Sequence, residues 1–208
     1  MLTPAAVLNT ASLLLASTLT ARRALYICER AWLFWGSWWL LMAFFSKGTK
    51  RRETVWQRFE HVLPTAFGFL LVFEQVRLPG LAQPLFPDVP ALALLAVAVT
   101  FSGLFFAAWA RLALGANWSG SITIKKGHQL VRRGPYRFIR HPIYTGMLTA
   151  LLATAATERL TGGLVGFAVV LLALYRKARR EESFLSEEFG DAFVEHRRHT
   201  GMFLPRFS

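Results

Sequence analysis

Long apolar runs alternate with short polar segments along this chain of 208 residues. A run of about 18 or more apolar residues is long enough for a helix to cross a membrane. Several runs reach or approach that length. The pattern therefore predicts six membrane-spanning helices, or five if the first is not inserted, at residues 4–21, 26–45, 61–76, 91–113, 143–157 and 160–175.

The last two apolar runs are short and close together. Glu158 and Arg159 separate them, and two glycines follow directly. Because so tight a link leaves no room for a domain between the runs, they predict a helical hairpin.

Beyond residue 175 the chain becomes charged. Its apolar residues from Phe184 to Val194 recur at approximately helical spacing, which indicates an amphipathic helix. We expect this helix to lie against the membrane domain, with an interruption near Gly190.

Together these patterns predict an all-α fold, a polytopic membrane helix bundle with a C-terminal helical hairpin. Residues 1–113 carry the first four spans. Residues 114–208 carry a long polar loop, the hairpin and a helical tail.

The composition agrees with a membrane protein. Hydrophobic residues make up 54% of the chain and charged residues only 17%, against about a quarter charged in soluble domains. The net charge of +12 would also suit a nucleic-acid binder. Because the basic residues lie between apolar runs, cytoplasmic loops explain the charge better, and no nucleic-acid partner is predicted.

The distribution of basic residues predicts an orientation. Eighteen of the 24 lysines and arginines fall in residues 47–58, 125–140 and 176–206. With six spans, these segments lie on one side, which the positive-inside rule places in the cytoplasm. The long loop and the tail then meet on one face of the membrane.

The segment GHQLVRRGPYRFIRHPIYTG, residues 127–146, is the longest break between apolar runs. It combines arginines and histidines with two prolines and two tyrosines. A plain connection between helices does not need that mixture, so we interpret it as the polar half of an active site at the membrane surface. A metal site is not predicted, because the histidines have no carboxylate or thiolate at ligand spacing and Cys28 is the only cysteine.

His141 and the pair Glu181 and Glu182 are the other polar candidates. Pro142 keeps His141 out of helical geometry and places it at a helix start, where backbone N–H groups can receive a carboxylate. Capping of that helix is an equally good interpretation of His141. The two glutamates suit either a solvated surface or a functional site facing a cavity near the membrane.

Four segments then show a family resemblance. LGANWS at residues 114–119 resembles Leu-Gly-x-x-Trp-Ser, and GHQLVRRGPY followed by RHPIYTG resembles His-x-Leu-Val, Gly-x-Tyr and Arg-His-Pro-x-Tyr. EESFLSEEFGDAFVEH and TGMFLP resemble the tail. In this order and spacing they are similar to the isoprenylcysteine carboxyl methyltransferases, particularly the prokaryotic members, and more distantly to the phospholipid N-methyltransferases.

The resemblance implies an integral membrane enzyme that uses S-adenosyl-L-methionine. The cofactor would lie between the long loop, the hairpin and the tail, so that residues 114–208 form the catalytic region. By this resemblance the cofactor-binding residues are His128, Leu130, Val131, Tyr136, His141, Pro142, Ile143, Tyr144 and Glu181.

The acceptor-binding position departs from the family pattern. Four residues before the glutamate that corresponds to Glu181, the family has an arginine beside the methyl-accepting carboxylate. This chain has Lys177 there, with Arg176 next to it, and we predict these two as the catalytic residues. A lysine cannot make the bidentate contact of an arginine. Phe193 and His196 also stand where the family often has tyrosines.

The resemblance thus implies O-methylation of a carboxylate on a lipidated or hydrophobic acceptor that enters from the bilayer. Membrane lipids are the other expected partners, and the active site is expected to face the cytoplasm. Three alternatives stay open. One is N-methylation of a phospholipid amine. Another is a nicotinamide-dependent membrane sterol reductase, which shares the Arg-His-Pro-x-Tyr element, and the third is a non-catalytic membrane scaffold.

Overall fold

The computed structural model describes residues 20–45, 48–119, 121–125, 127 and 129–206. Within them the helices are α1 (Ala21–Ala43), α2 (Val55–Val72), α3 (Pro90–Leu114), α4 (Pro142–Glu158), α5 (Thr161–Phe189) and α6 (Asp191–His199). The predicted all-α bundle is confirmed. The predicted first span, residues 4–21, lies almost wholly outside the described residues.

The helix starts follow from local sequence. Thr54 and Gln57 form a reciprocal capping box at the start of α2, which satisfies backbone N–H groups that have no partner within the helix. Helices α3 and α4 begin at Pro90 and Pro142, because proline suits a first helical position.

Two described helical segments are long and apolar enough to cross a membrane, Pro90–Asn117 and Thr161–Phe189. Large apolar side chains also face outward from several helices. Phe34, Trp56 and Phe105 are each more than three-quarters exposed. Exposed apolar surface of this kind is typical of a contact with lipid or with another protein. The number of spans stays a prediction.

The predicted hairpin is confirmed, but its second helix is longer than expected. We predicted that the apolar helix would end near residue 175 and that a separate helix would follow. Helix α5 instead continues to Phe189, because lysine, arginine and glutamate are good helix formers and favour its continuation. Gly190, with a φ of 50°, ends α5, and α6 begins at the next residue. The expected interruption near Gly190 is therefore confirmed.

Two short strands were not predicted. The basic loop after α1 forms β1 (Thr49–Arg52), which pairs antiparallel with β2 (Thr123–Lys125) of the long loop. The backbone of the next residue, Glu53, extends this ladder by donating to the carbonyl of Ile122 at 2.9 Å. This pairing brings the start of α2 to the long loop.

Glycines allow the helices to cross closely. A Cβ atom on Gly103 of α3 would lie 2.6 Å from the carbonyl oxygen of Gly146 on α4, and one on Gly68 of α2 would lie 2.6 Å from that of Gly166 on α5. Close approach at small residues is a common way for membrane helices to associate. The core that includes Leu104, Leu151 and Val170 lies among these helices.

We expect Gly103→Ala to destabilise the bundle. The added methyl would meet backbone atoms of α4, and overpacking of this kind costs about 1–3 kcal/mol. Thermal unfolding of the detergent-purified protein measures the loss. Gly36→Ala is the matched control, because nothing lies within 4 Å of a Cβ atom there and alanine is the better helix former. Equal midpoints for the two variants would contradict this account of the crossing.

Candidate active site

A cavity of about 510 Å³ lies where the long loop meets α1, α2, α4 and α5. Its walls differ in character. One wall carries polar side chains from the loop and the hairpin, and the other carries tryptophans and aliphatic side chains. Lining residues that the argument uses are Trp35, Trp39, His61, Trp118, Tyr144, Lys177 and Glu181.

Glu181 is fixed at the polar wall by two contacts. The hydroxyl of Tyr144 donates to its Oε1 at 2.7 Å, and its Oε2 lies 3.5 Å from Nδ1 of His141. Lys177, one helical turn earlier on α5, places its Nζ 5.4 Å from the centroid of the Tyr144 ring. An anion and a cation are thus positioned around one tyrosine.

His141 is held between two successive carboxylates. Its Nε2 lies 3.3 Å from Oε1 of Glu182, while Nδ1 faces Glu181. Burial alone lowers the pKa of His141, but the hydrogen bonds and charges of the two glutamates outweigh it, and the pKa is raised. The side chain makes no capping hydrogen bond to α4. The interpretation of His141 as a helix cap is therefore wrong for its side chain.

Arg140 connects this cluster to the end of the chain. Its Nε donates to Oε1 of Glu182 at 2.7 Å, and its guanidinium also contacts the carbonyl of Thr200. Ile139 pairs with Gly201 in a parallel bridge, and the hydroxyl of Thr145 donates to the carbonyl of Phe203 at 2.7 Å. The segment after α6 therefore holds the loop that carries His141 in place through these hydrogen bonds.

The apolar wall is a layer of stacked tryptophans. The rings of Trp35 and Trp39 stack with centroids 4.5 Å apart, and Trp118 meets Trp39 edge to face at 5.1 Å. Behind them, the buried guanidinium of Arg111 lies 4.5 Å from the centroid of Trp118 and donates to the carbonyl of Met42 at 2.7 Å. The layer is thereby fixed to the end of α1. Two of the tryptophans of α1, Trp35 and Trp39, thus line the cavity.

The structure brings six of the predicted site residues to the cavity, namely Tyr136, His141, Ile143, Tyr144, Lys177 and Glu181. Val131 packs against the buried cluster of Ala110, Tyr136 and Ile143. Pro142 is buried at the first position of α4. Leu130 is half-buried and Arg176 is exposed, neither lines the cavity, and His128 lies outside the described residues. The roles assigned to all of these residues stay predictions.

Sequence reasoning missed Glu182 as a site residue, although it named the pair. The signal was the pair itself. On a helix, successive side chains point about 100° apart, so two adjacent glutamates can grip the two nitrogens of one ring. It also missed His61, whose signal was a histidine at the start of the apolar run of residues 61–76.

His196 lies outside the cavity, on α6. Burial, and then the charges of Arg132, Arg140 and His199, lower the pKa of His196 to about 4. The described residues hold no cluster of three or more His, Cys, Asp or Glu that could bind a metal ion.

Comparison with known proteins supports the resemblance. The sequence profile described as the isoprenylcysteine carboxyl methyltransferase (ICMT) family matches residues 94–187. The resemblance predicted from the motifs is therefore confirmed over that part of the chain. The matched range contains both Lys177 and Glu181, and it excludes α1 and α2.

Two curated relatives are similar over shorter stretches. A protein-S-isoprenylcysteine O-methyltransferase of Schizosaccharomyces pombe is 28% identical over 109 residues, 50% of this chain and 45% of that protein. The uncharacterized protein YpbQ of Bacillus subtilis is 39% identical over 44 residues, 21% of this chain and 26% of that protein. The matches thus span less than half of either relative.

A solved structure of the eukaryotic intramembrane Ras methyltransferase ICMT also aligns with this chain. The TM-score is 0.47 and the identity 20%, covering 76% of this chain and 56% of that one.

We expect the thermal stability of the protein to fall as the pH rises above about 6.5, the ordinary pKa of histidine. The raised pKa of His141 means that the folded state favours its charged form. That contribution is fully present below the unfolded pKa and is lost as the pH rises through the folded one. Unfolding midpoints measured at pH values below and above 6.5 give the size of this contribution.

The fall of the unfolding midpoint above about pH 6.5 should be smaller in His141→Gln than in the wild type. His196→Gln is the matched control, because the pKa of His196 is lowered to about 4 and its contribution changes on the acid side instead. An unchanged alkaline slope in His141→Gln would show that other groups cause the effect.

Proposed function

We propose that this chain, which carries the pattern of the isoprenylcysteine carboxyl methyltransferase family across residues 94–187, is an S-adenosylmethionine-dependent membrane methyltransferase. It O-methylates a carboxylate on a lipidated or otherwise hydrophobic acceptor. The observation that carries the proposal is that one cavity joins a polar wall, with Lys177 and Glu181, to an apolar wall, with Trp35 and Trp39.

The residues of the polar wall fit the cofactor. S-adenosylmethionine carries two cationic groups, a sulfonium and an ammonium, and Glu181 presents a carboxylate oriented by Tyr144 and His141. The volume of about 510 Å³ falls in the range of small-molecule sites. When bound, the cofactor supplies an electrophilic methyl group.

Lys177 fits the acceptor carboxylate. It takes the place of the family's arginine, and its ammonium can neutralise one carboxylate through single hydrogen bonds. A carboxylate is already ionised at neutral pH, so the reaction needs no general base. The chain has only to hold the carboxylate in line with the methyl group and to exclude water.

The tryptophan wall fits the hydrophobic part of the acceptor. Trp35 and Trp39 lie on α1, whose other side chains include the strongly exposed Phe34 and Leu40. An acceptor can therefore pass from lipid to the cavity along apolar surface, while the polar cofactor enters from the aqueous side. We assign that side to the cytoplasm, because the basic loops lie there by the positive-inside rule.

N-methylation of a phospholipid amine fits the cavity less well. Its product carries a positive charge, and the ammonium of Lys177 lines the same cavity. Like charges at close range in a poorly polarisable site repel strongly. The two reactions also give products of different chemistry, since a methyl ester is hydrolysed by alkali and an N-methyl group is not.

Cofactor binding is the first test. We expect calorimetry to show that S-adenosylhomocysteine binds the purified protein, and that Glu181→Gln weakens binding about tenfold or more through loss of a buried charged contact. Glu187→Gln is the matched control, the same change at an exposed position of α5. Absence of binding to the folded wild type would refute the proposal, and a reduced nicotinamide cofactor would be titrated next.

Acceptor binding is the second test. With a prenylated thioether carboxylic acid as acceptor, we expect a labelled product that alkali hydrolyses. Lys177→Met should raise the KM for the acceptor about tenfold or more, because it removes the contact of a charged group. Lys177→Arg should retain activity. Arg179→Met, at an exposed position of the same helix, is the control. Transfer of the labelled methyl group to a phospholipid amine in an alkali-stable product, with none to the carboxylic acid, would instead identify N-methylation.

A further inference from the structure

Glu53 and His61 form a buried polar pair that lies outside the residues matched by the family profile. Nε2 of His61 lies 3.0 Å and 3.2 Å from the two carboxylate oxygens of Glu53. The exposed fraction is 5% for the His61 side chain and 1% for the Glu53 side chain. Burial of two ionisable groups costs free energy that their pairing offsets only in part, so stability alone does not account for this pair.

Glu53 is fixed by the strands as well as by the histidine. Its Oε1 accepts a hydrogen bond from the backbone N–H of Ile122 at 3.1 Å, and its own N–H donates to the carbonyl of Ile122 at 2.9 Å. The carboxylate therefore cannot turn away from the histidine. The orientation of the His61 ring is set by a rigid partner.

His61 lines the same cavity as Lys177 and Glu181. Helices α2 and α5 are tied beside it, since Arg180 donates to the carbonyl of Gln57 at 3.1 Å and to Glu60 at 2.7 Å. Residues 57 and 61 are one turn apart on α2, and residues 177 and 180 are nearly one turn apart on α5. The turns that carry His61 and Lys177 therefore face each other.

The neighbours of the ring determine what it can offer to a ligand. The Glu53 carboxylate accepts from Nε2, which fixes the proton on that nitrogen. Nδ1 is then the nitrogen that carries a lone pair, and it can accept a hydrogen bond from a ligand in the cavity.

We propose that His61 is a specificity-determining residue whose Nδ1 accepts a hydrogen bond from an N–H or O–H group next to the acceptor carboxylate. This inference rests on the proposed carboxyl methylation. Lys177 binds the carboxylate and His61 the neighbouring donor. His61 therefore discriminates an acceptor that carries such a donor from a simple fatty acid, which carries none.

His61, held by Glu53, also supplies a second directional contact to the acceptor, which Lys177 alone cannot make. An arginine can orient a carboxylate by two parallel hydrogen bonds, whereas a lysine ammonium is a point charge. A second contact on an adjacent atom of the acceptor restricts its rotation about the Lys177 contact. Two contacts from two helices then hold the carboxylate in the geometry that methyl transfer requires.

Three acceptors with one lipid chain test the proposal on the purified enzyme. They are N-acetyl-S-prenylcysteine, its N-methylated amide, and the 3-(prenylthio)propanoic acid that lacks the amide. We expect the wild type to favour the first by about tenfold in kcat/KM, the effect of one buried hydrogen bond. In His61→Gln this preference should fall to near one.

Glutamine is the informative replacement, because its amide nitrogen matches Nε2 and can still donate to Glu53. It offers nothing at the position of Nδ1. Binding of S-adenosylhomocysteine should be unchanged in His61→Gln, which shows that the cavity is intact. The ratio between acceptors is the readout, since a purely structural role would lower activity on all three alike.

The outcomes separate this inference from the proposed function. Equal use of the three acceptors by the wild type, or an unchanged preference in His61→Gln, would overturn the role of His61 while methyl ester formation stands. Absence of alkali-labile product from every acceptor would overturn the carboxyl methylation itself, and the inference with it.

Discussion

The contact on which the rest of this structure depends is the grip of two successive glutamates on one buried histidine. His141 lies between Glu181 and Glu182, and Arg140 completes the charge balance on Glu182. Separating such groups would leave buried charges without partners, at a cost of about 3–5 kcal/mol. The contact therefore joins the start of α4 to the charged end of α5. It also sets Glu181 and Tyr144 at the cavity wall, where the proposed chemistry needs them.

Much of the fold could be predicted because long apolar runs in the sequence indicate helices directly. The helix bounds near residues 90–114 and 142–158 follow from those runs and from prolines at their starts. The continuation of α5 to Phe189 could not be predicted from hydropathy, because the residues after residue 175 are largely charged and yet remain helical. The strand pair was missed since its two partners lie about 70 residues apart, and local sequence does not encode such pairing.

The site could be predicted where residues share a motif and not where they share only space. The Arg-His-Pro-x-Tyr element and the paired glutamates pointed to one wall of the cavity. The side that carries His61 depends on the crossing of α2 and α5 at Gly68 and Gly166. No spacing in the sequence indicates that crossing, so nothing in the sequence assigned His61, at the start of the predicted third span, to the site.

The character of the cavity itself argues for a carboxylate acceptor. Methyl transfer from a sulfonium to a carboxylate consumes one positive and one negative charge, and it leaves a neutral ester and a neutral thioether. Charges are poorly solvated next to the apolar side chains of the cavity, such as Trp35, Trp39 and Leu174, so these surroundings favour a reaction that removes charges. Transfer to a neutral amine keeps the positive charge inside the cavity, beside Lys177. In the proposed reaction, the apolar lining therefore has two roles: it accommodates the lipid chain of the acceptor, and it favours an anionic group as the one that is methylated.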